Sequence, residues 1–290
     1  MDYLVSLEKA IEYIEQHLDE DLFSEDIAKA GGYSLYHLTH IFTAVIGEPI
    51  GSYIQKRRLS NSCKKLLYSN KRIIDIAMES GFGSSEAFSR AFKSAYDVSP
   101  VAYRKNNLDL YTGSKKMLDR ESLLHLAEGI TIRPRIVELD KTFVAGIRGE
   151  TSTLHNILPD LWNSLLEIFS QIPASSNARR FGICETDRTK VSITKDGNVT
   201  FSEIVGIEVD SFGCLPKGVD IKIIPGGRYA VFTHKGTVAT LLKTYDYIWG
   251  SWVLFTKEKL DEREDFEIYD KRFLGVDDVD SEIDIYIPVK

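Results

Sequence analysis

The sequence predicts two domains of different class: an all-α double helix-turn-helix domain, then an α+β domain. In residues 1–107, apolar side chains recur every three or four positions, which indicates amphipathic helices. Part of this pattern repeats about 50 residues later, which indicates an internal duplication. From residue 131 onward, short strand-like runs surround two longer helical segments. We therefore expect domains over 1–107 and 131–290, joined by a connector over 108–130.

Charge is distributed unevenly along the 290 residues. The net charge of −7 combines −8 over 1–51, +7 over 52–107 and −6 over the remainder. A basic block of this kind supplies the local positive face that phosphate contact requires. No apolar run approaches the roughly 20 residues of a membrane span. Cys63, Cys184 and Cys214 have no metal-ligand spacing, so we interpret them as idle thiols in a reducing cytoplasm.

The first repeat has the pattern of a helix-turn-helix motif. Ser24 is a candidate cap for a short helix that ends at the glycine pair Gly31-Gly32. Ser34 is a candidate cap for the next helix, which ends at Gly47. Two short helices joined by a glycine turn form such a motif, and its second helix is the one that enters the major groove of DNA.

The second repeat lies 49 to 50 residues further along. Ile27-Ala28 and Gly32-Tyr33 return as Ile76-Ala77 and Gly81-Phe82. Residues 49–69 between the copies indicate one helix, and about 20 residues span roughly 30 Å. Successive major-groove segments on one side of B-DNA lie about 34 Å apart. This spacing predicts that one monomer places two recognition helices in adjacent groove segments.

These residues resemble the AraC/XylS family signature over roughly 100 positions. The signature positions are Ser34, Leu38, Phe42, Gly47, Pro49, Tyr53-Ile54, Arg57-Arg58-Leu59, Ile76-Ala77, Gly81-Phe82, Phe88-Ser89-Arg90-Ala91-Phe92-Lys93, Val98-Ser99-Pro100 and Tyr103-Arg104. The resemblance implies a transcription factor that binds double-stranded DNA at an asymmetric site of about two helical turns. The chain departs from the family at His40, where Arg is usual, and at Asp97, where Gly is frequent.

By resemblance, the exposed positions of the two recognition helices read bases. They are Leu35, Tyr36, Thr39 and His40 in the first motif and Ser85, Glu86, Ser89 and Arg90 in the second. Arg90 is the best single candidate, because arginine to guanine is the commonest specific contact. Glu86 has two interpretations: an acceptor for a cytosine amino group, or a solvated carboxylate at a helix start.

A further set of basic side chains is assigned to DNA phosphates. They are Lys56, Arg57, Lys71, Arg72, Lys93, Arg104 and Lys105. For each of them a solvated surface charge is the alternative. In the family, the position of Arg57 often has a structural role within the linker helix.

The C-terminal half has a duplicated pattern of strands and helices. Strand-like runs lie at 132–139, 143–147, 181–185 and 205–209, and again at 221–224, 229–232, 266–269 and 283–289. Amphipathic helices are predicted over 154–172 and 237–252. Val144–Glu150 and Ala230–Gly236 begin matching halves. Two strand-helix-strand-strand units on one antiparallel sheet fit a duplicated α+β domain.

This half resembles the GyrI-like effector-binding domain, and the whole chain resembles the Rob-type architecture. The resemblance is carried by Pro134-Arg135-Ile136-Val137, Phe143-Val144-Ala145-Gly146, Tyr229-Ala230-Val231-Phe232, His234-Lys235-Gly236, Asp265-Phe266-Glu267-Ile268-Tyr269 and Ile285-Tyr286-Ile287-Pro288-Val289. It implies a site for lipophilic, often cationic, aromatic compounds, with a buried carboxylate among aromatic side chains.

The candidate carboxylate is Glu267, which alternates with apolar neighbours on a predicted strand. A carboxylate among aromatic rings attracts an organic cation by charge and by cation–π attraction. A surface glutamate on an outer sheet face is the alternative. The candidate wall residues are Trp162, Tyr229, Tyr247, Trp249, Tyr269 and Tyr286, each of which alone also fits plain core.

The sequence favours a ligand-responsive DNA-binding regulator over an enzyme. A weak hydrolase that uses Glu267 as general base is one rival, but no nucleophile–base constellation is identifiable. A protein-interaction module is the other. We expect double-stranded DNA, a small-molecule effector and RNA polymerase as partners, and no cofactor, metal site, catalytic residue or membrane.

Overall fold

The structure is a computed structural model. It describes residues 3–106, 115–152, 157–174, 178–185, 192–193, 199–210, 215–254 and 256–290. Gly113 and Ser114 of the predicted connector, the predicted helix start at Leu154, and Cys214 lie outside the described residues.

The chain divides into two compact units. The first comprises Met1–Ile132 with Thr240–Thr256, and the second comprises Arg133–Ala239 with Lys257–Lys290. The division near residue 132 lies close to the predicted boundary at 131. Residues 240–256, which were predicted to belong to the second domain, form part of the first unit.

Helices make up most of the first unit, and the described residues of the second unit contain one α-helix. Their bounds are α1 Tyr3–Gln16, α2 Ser24–Gly31, α3 Leu35–Ile46, α4 Ile50–Tyr68, α5 Ile73–Met78, α6 Ser85–Tyr96, α7 Pro100–Asn106, α8 Arg120–Glu128, α9 Leu158–Ile168 and α10 Leu241–Gly250. The helix in the second unit is α9; the others lie in the first. Within the described residues, no helix is both long enough and apolar enough to cross a membrane.

The two predicted helix-turn-helix motifs are α2–α3 and α5–α6. Their turns contain Gly32 and Gly81, whose φ angles of 72° and 70° suit glycine. Phe23 precedes α2 and makes no side-chain cap, so the prediction that Ser24 caps this helix is wrong. The predicted helix over 49–69 is confirmed as α4, whose 19 residues span roughly 28 Å.

Helix α4 belongs to the core of the second motif. Leu59 and Leu66 of α4 pack in one buried cluster with Phe88 and Phe92 of α6. This packing fixes the orientation of the second recognition helix relative to the linker helix.

The second unit is built on one antiparallel sheet. Its strands are β1 Arg135–Leu139, β2 Thr142–Ser152, β3 Arg180–Glu185, β4 Ser192–Ile193, β5 Val199–Val209, β6 Asp220–Ile224, β7 Gly227–Lys235, β8 Phe266–Tyr269 and β9 Glu282–Pro288. The strand order is β1-β7-β9-β8-β3-β5-β2-β6, with β4 paired to β5.

The strand order has the twofold pattern that the repeat predicted. From the centre outward, one side runs β3, β5, β2, β6 and the other runs β8, β9, β7, β1. The strands that contain the matching segments Val144–Glu150 and Ala230–Gly236, β2 and β7, therefore hold equivalent places in the sheet. The outermost strands are exchanged: β1 from the first half pairs with β7, and β6 from the second half pairs with β2.

The two faces of the sheet bury different cores. On one face, Val137 of β1 and Ile224 of β6 meet Phe181 of the central strand β3 in one cluster, so the sheet is curled. On the other face, Leu161 and Leu165 of α9 pack against strand residues of β2 and β5. Because successive side chains of a strand point to opposite faces of the sheet, the position of a residue along its strand decides which of the two cores it joins.

Candidate DNA interface and ligand site

The first recognition helix, α3, has defined ends. Ser34 Oγ accepts a hydrogen bond from the backbone N–H of His37 at 3.3 Å, as the sequence predicted. Gly47 ends the helix in the left-handed conformation, with a φ of 81°. A capped start of this kind stabilises the turn that carries the candidate base-reading residues.

The four candidates of the first motif are all exposed on α3. Tyr36 has 70% of its side chain exposed, and its ring lies 4.4 Å from that of His40 between centroids. Thr39 Oγ1 donates to the Leu35 carbonyl at 2.8 Å, so this hydroxyl is partly satisfied within the helix. The exposed end of α3 therefore offers aromatic and neutral polar groups and carries no arginine.

The second recognition helix, α6, is capped by Ser84, whose Oγ accepts from Ala87 N at 3.1 Å. Glu86 and Arg90 are exposed on it, and Ser85 and Ser89 are half-buried. A hydrogen bond from its own backbone N–H, together with the hydroxyls of Ser84 and Ser85, lowers the pKa of Glu86. Arg90 thus lies one turn from a carboxylate that remains ionised.

Two of the predicted phosphate contacts are buried, and their assignment is corrected. Lys56 is 6% exposed and pairs with Glu48 at 3.1 Å. Arg57 is 9% exposed and makes two hydrogen bonds of 2.7 Å to the Glu15 carboxylate. These two side chains balance internal carboxylates. If either turned outward to contact a phosphate, its partner carboxylate would be buried without a counter-charge.

The remaining phosphate candidates lie nearer the surface. Lys93 and Lys105 are exposed on α6 and α7. Lys71 and Arg72 are also exposed, and they pair with Glu79 at 2.6 Å and with Asp75 at 2.8 Å. Arg104 is half-buried and donates to the carbonyls of Leu66 and Lys71, a role within the fold.

Arg58 is a structural residue that sequence reasoning did not single out. Its guanidinium donates to the carbonyl oxygens of Leu18 at 2.7 Å, Glu20 at 2.6 Å and Gly81 at 2.9 Å. It thereby joins the end of α1 to the turn of the second helix-turn-helix motif. The Arg57-Arg58 pair looks like a phosphate-binding signal in sequence, yet both side chains hold the domain together.

Glu267, Tyr269 and Trp162 come together in the second unit. The Glu267 side chain is 8% exposed and accepts a short hydrogen bond from the Tyr269 hydroxyl. The rings of Trp162 and Tyr269 meet edge-to-face, with centroids 5.2 Å apart. The structure therefore places Glu267 in an aromatic interior, as predicted, and not on an outer sheet face.

Tyr229 and Tyr286 lie on the opposite sheet face from Glu267, so the structure does not join them to this group. Both pack in the curled core, where Phe266 lies 5.2 Å from Tyr229 and 4.9 Å from Tyr286 between ring centroids. The Arg263 guanidinium covers the Tyr229 ring at 4.5 Å. The prediction that these tyrosines form a wall beside Glu267 is corrected, because strand alternation separates them from the carboxylate.

Tyr247 and Trp249 lie on α10, in the first unit. Tyr247 is buried, and its hydroxyl donates to the Ile132 carbonyl at 2.9 Å. Trp249 is half-buried.

Glu203 is a candidate ligand residue that sequence reasoning missed. It lies on β5, 6% exposed, and its strand partner is Cys184 of β3. Burial, followed by the charges of Glu267 and Asp265, raises the pKa of Glu203 well above its ordinary value. The Val199–Val209 strand contains two acidic residues, Glu203 and Glu208, and only the strand order shows that Glu203 is the one that lies near Glu267.

The carboxylates do not belong to a recognisable metal centre. Within the described part of the chain, no group of three or more His, Cys, Asp or Glu side chains is arranged to hold a metal ion. Burial also raises the pKa of the Cys184 thiol, which keeps it protonated and a poor nucleophile.

Two family models match this chain. Residues 135–289 match the model described as integron-associated effector binding protein, and residues 27–106 match a helix-turn-helix domain. Fold and matches together define a DNA-binding transcriptional regulator with an AraC-type domain and a GyrI-like effector-binding domain. The chain belongs to the family of integron-associated effector binding proteins.

Individual proteins are similar to all or part of this chain. The transcriptional regulator Rob of Salmonella typhimurium is 27% identical over 244 residues, covering 81% of this chain and 80% of that protein. YbfP of Bacillus subtilis, an uncharacterized HTH-type regulator, is 44% identical over 104 residues, which cover 36% of this chain and 35% of YbfP. An integron cassette protein of Vibrio cholerae has a TM-score of 0.39 and 16% identity, covering 56% of this chain and 97% of its own.

Proposed function

We propose that this chain recognises a specific operator through α3 and α6 and that a lipophilic organic cation in the second unit changes its regulatory output. The DNA half of the proposal is supported by two capped recognition helices with exposed polar and aromatic side chains, held by a common linker helix. Arg90 is proposed as the main base-reading residue, with Lys93 and Lys105 as phosphate contacts.

The observation that carries the ligand half is the pair of buried carboxylates, Glu203 and Glu267, which lie close to one another and to the Tyr269 ring over the backbone of Gly182. Two acidic groups in one buried place disfavour each other's ionisation, so a bound organic cation would stabilise their charged form. Trp162 and Tyr269 supply rings for aromatic and cation–π contact.

The ligand proposal is tested by calorimetric titration with tetraphenylphosphonium, a lipophilic aromatic monocation. We expect saturable binding to the full chain and a loss of about tenfold in affinity in Glu267→Gln, since one charge pair is removed. The matched control is Glu138→Gln, an exposed glutamate on β1. Equal affinity in wild type and Glu267→Gln contradicts the assignment, and no binding to either contradicts cation sensing.

A regulatory effect is tested separately by transcription from a promoter that carries the operator. Adding the cation is expected to change transcript yield with wild-type protein and to leave it unchanged with Glu267→Gln. RNA polymerase is the proposed partner in this assay.

A further inference from the structure

Tyr247, in the last turn of α10, packs against the C-terminal end of the first recognition helix. A Cβ atom at Gly47, the residue that ends α3, would lie only 2.7 Å from the Tyr247 hydroxyl oxygen. This hydroxyl is fixed because it donates to the Ile132 carbonyl at 2.9 Å. Tyr247 is buried, so its ring and hydroxyl form a firm contact with the backbone at the end of α3.

Ser251, directly after α10, reaches the same end of α3 through the next residue, Glu48. Lys56 and Lys115 pair with the Glu48 carboxylate at 3.1 Å and 2.9 Å. Lys56 also donates to the Ser251 carbonyl at 3.2 Å, and Lys115 donates to the Ser251 hydroxyl. Glu48 and Ser251 are both buried, so water does not replace these contacts. The end of α3 is therefore held twice by residues of one segment.

These contacts lie at the opposite end of α3 from its candidate base-reading residues. Helix α3 has 12 residues and is roughly 18 Å long. Its candidates lie at positions 35–40, and α10 contacts position 47. Because a helix moves as a rigid rod, a shift at its C-terminal end tilts the other end relative to the groove. Hydrogen bonds to base edges tolerate only narrow ranges of distance and angle, so a small tilt weakens discrimination between bases.

The second recognition helix is held by other parts of the chain. Helix α6 packs on α4, α5 and α7. The buried cluster that contains Phe88 and Phe92 of α6 draws its described members from residues 59–103. The two helices therefore differ in what holds them, since α3 alone of the two is held at its end by Tyr247 and Ser251.

We propose that Tyr247 and Ser251 are positioning residues for DNA recognition by α3. Both residues are buried, so they act through α3 and not by contacting bases. They belong to a segment that the chain inserts between β7 and β8, outside both helix-turn-helix motifs. The proposal rests on the proposed function, since it names what sets the angle of one of the two recognition helices.

The test uses the full chain and the operator that is recovered by selection from a random DNA pool. Arg90→Ala identifies the half-site that α6 reads, and the other half-site belongs to α3. Each position of both half-sites is replaced by the other three base pairs. Fluorescence anisotropy at fixed salt gives the affinity for every duplex, and hence the base discrimination within each half-site.

The decisive variant is Tyr247→Phe/Ser251→Ala, which removes the two hydroxyl groups and keeps the aromatic ring. At the most selective position of the α3 half-site, the affinity ratio between preferred and substituted base pairs is expected to fall about three- to fivefold. Discrimination within the α6 half-site is expected to stay unchanged. A residue that served stability alone would not separate the two half-sites in this way.

The matched control is Tyr229→Phe/Ser281→Ala, the same pair of substitutions at buried positions of the second unit. The Tyr229 hydroxyl donates to the Pro225 carbonyl at 3.0 Å, and the Ser281 hydroxyl donates to the Gly275 carbonyl at 2.8 Å. The control therefore also removes two buried hydroxyl groups with backbone partners. It should leave discrimination in both half-sites unchanged.

A loss confined to the α3 half-site supports the proposal. Equal losses in both half-sites, a loss confined to the α6 half-site, unchanged discrimination, or the same loss in the control would each overturn it. If the pool yields no motif, or Arg90→Ala relaxes no position, the proposed function fails instead, so the two failures are distinguishable. Urea unfolding checks that both variants fold, and Tyr247→Phe alone gives the same readout if the double variant does not.

Discussion

Asp97 shows how one residue can depart from its family's pattern and still serve the fold. It ends α6 with a φ of 58°, the one left-handed non-glycine conformation in the described residues. A side chain at such a position costs free energy that glycine does not incur, although aspartate tolerates it better than most. The sequence identified this position as a departure from the family, and the structure supplies the physical consequence.

Replacing Asp97 with glycine is therefore expected to stabilise the protein by about 0.5–1 kcal/mol. Asp97→Ala, which keeps a Cβ without the local hydrogen bonding of aspartate, is expected to destabilise it. The free energy of unfolding in urea measures both. An alanine variant as stable as the glycine variant would show that backbone strain is not the cause.

Glu203 carries a stability cost that depends on pH. Its pKa is raised in the folded state, so the folded protein holds this proton where the unfolded chain has lost it. Stability is therefore lost as the pH rises above the unfolded value of about 4.3. Glu203→Gln removes this loss.

The unfolding temperature of Glu203→Gln should therefore exceed that of wild type, by a margin that widens from about pH 5 to about pH 8. Differential scanning calorimetry on the two proteins gives this margin directly. A margin that stays constant or narrows over this range would mean that folding does not raise the pKa of Glu203.

Helix α4 shows what the sequence could and could not predict at the scale of an element. Its length follows from Pro49 at its start and from apolar spacing, and the structure confirms it. Its charges were misassigned, because a lysine or arginine has the same appearance in sequence whether its partner is phosphate or an internal carboxylate. Only the positions of Glu15 and Glu48 in the folded chain decide the matter.

Arg57 and Lys93 should accordingly differ in what their loss does. Arg57→Ala leaves the Glu15 carboxylate without its counter-charge and is expected to cost about 3 kcal/mol of stability. It is not expected to change the salt dependence of DNA affinity. Lys93→Ala is expected to leave stability unchanged and to lower the logarithmic salt slope by about 1. Urea unfolding and binding anisotropy at several salt concentrations measure the two properties. If Arg57→Ala instead lowered the salt slope and left stability unchanged, Arg57 would be a phosphate contact after all.

The same limit applies to the ligand site. Alternation along one strand placed Glu267 and Tyr269 on the same face, and Trp162 was a candidate wall residue of the site that the family resemblance implies. Tyr229 and Tyr286 were added because aromatic residues suit such a site, but their strand register places them on the other sheet face. Glu203 was missed because its proximity to Glu267 depends on the order β8-β3-β5, which local periodicity cannot supply.

At the scale of the whole molecule, the first unit is assembled from segments far apart in sequence. Glu48, only 1% exposed, pairs with Lys56 at 3.1 Å and with Lys115 at 2.9 Å. Lys56 also donates to the Ser251 carbonyl at 3.2 Å, and Lys115 donates to the Ser251 hydroxyl. A buried ion cluster therefore connects residues 240–256 to the helices of the first unit. No local sequence pattern predicts this cluster.

Glu48→Gln is expected to destabilise the chain by about 3–5 kcal/mol, because two buried ammonium groups lose their counter-charge. Burial already lowers the pKa of Lys56 to about 7 and lowers that of Lys115. The destabilisation should therefore shrink as the pH rises and these lysines lose their protons. Unfolding temperatures of wild type and variant on either side of neutral pH test this, and a penalty that grows with pH would contradict it.

The two recognition helices also predict an asymmetric operator. Helix α6 presents Arg90 from the basic part of the chain, whereas α3 presents Tyr36, Thr39 and His40 from an acidic part. One half-site should be read through a guanidinium contact, and the other through shape, apolar contact and neutral hydrogen bonds.

Selection of bound DNA from a random pool at fixed salt, with wild type and with Arg90→Ala, tests sequence-specific recognition most directly. The wild-type pool should yield one asymmetric motif with its stronger information in one half. Arg90→Ala should relax one position of that half, at a cost of about 1–3 kcal/mol there. A pool without an enriched motif, or a motif that Arg90→Ala leaves unchanged at every position, would contradict the account.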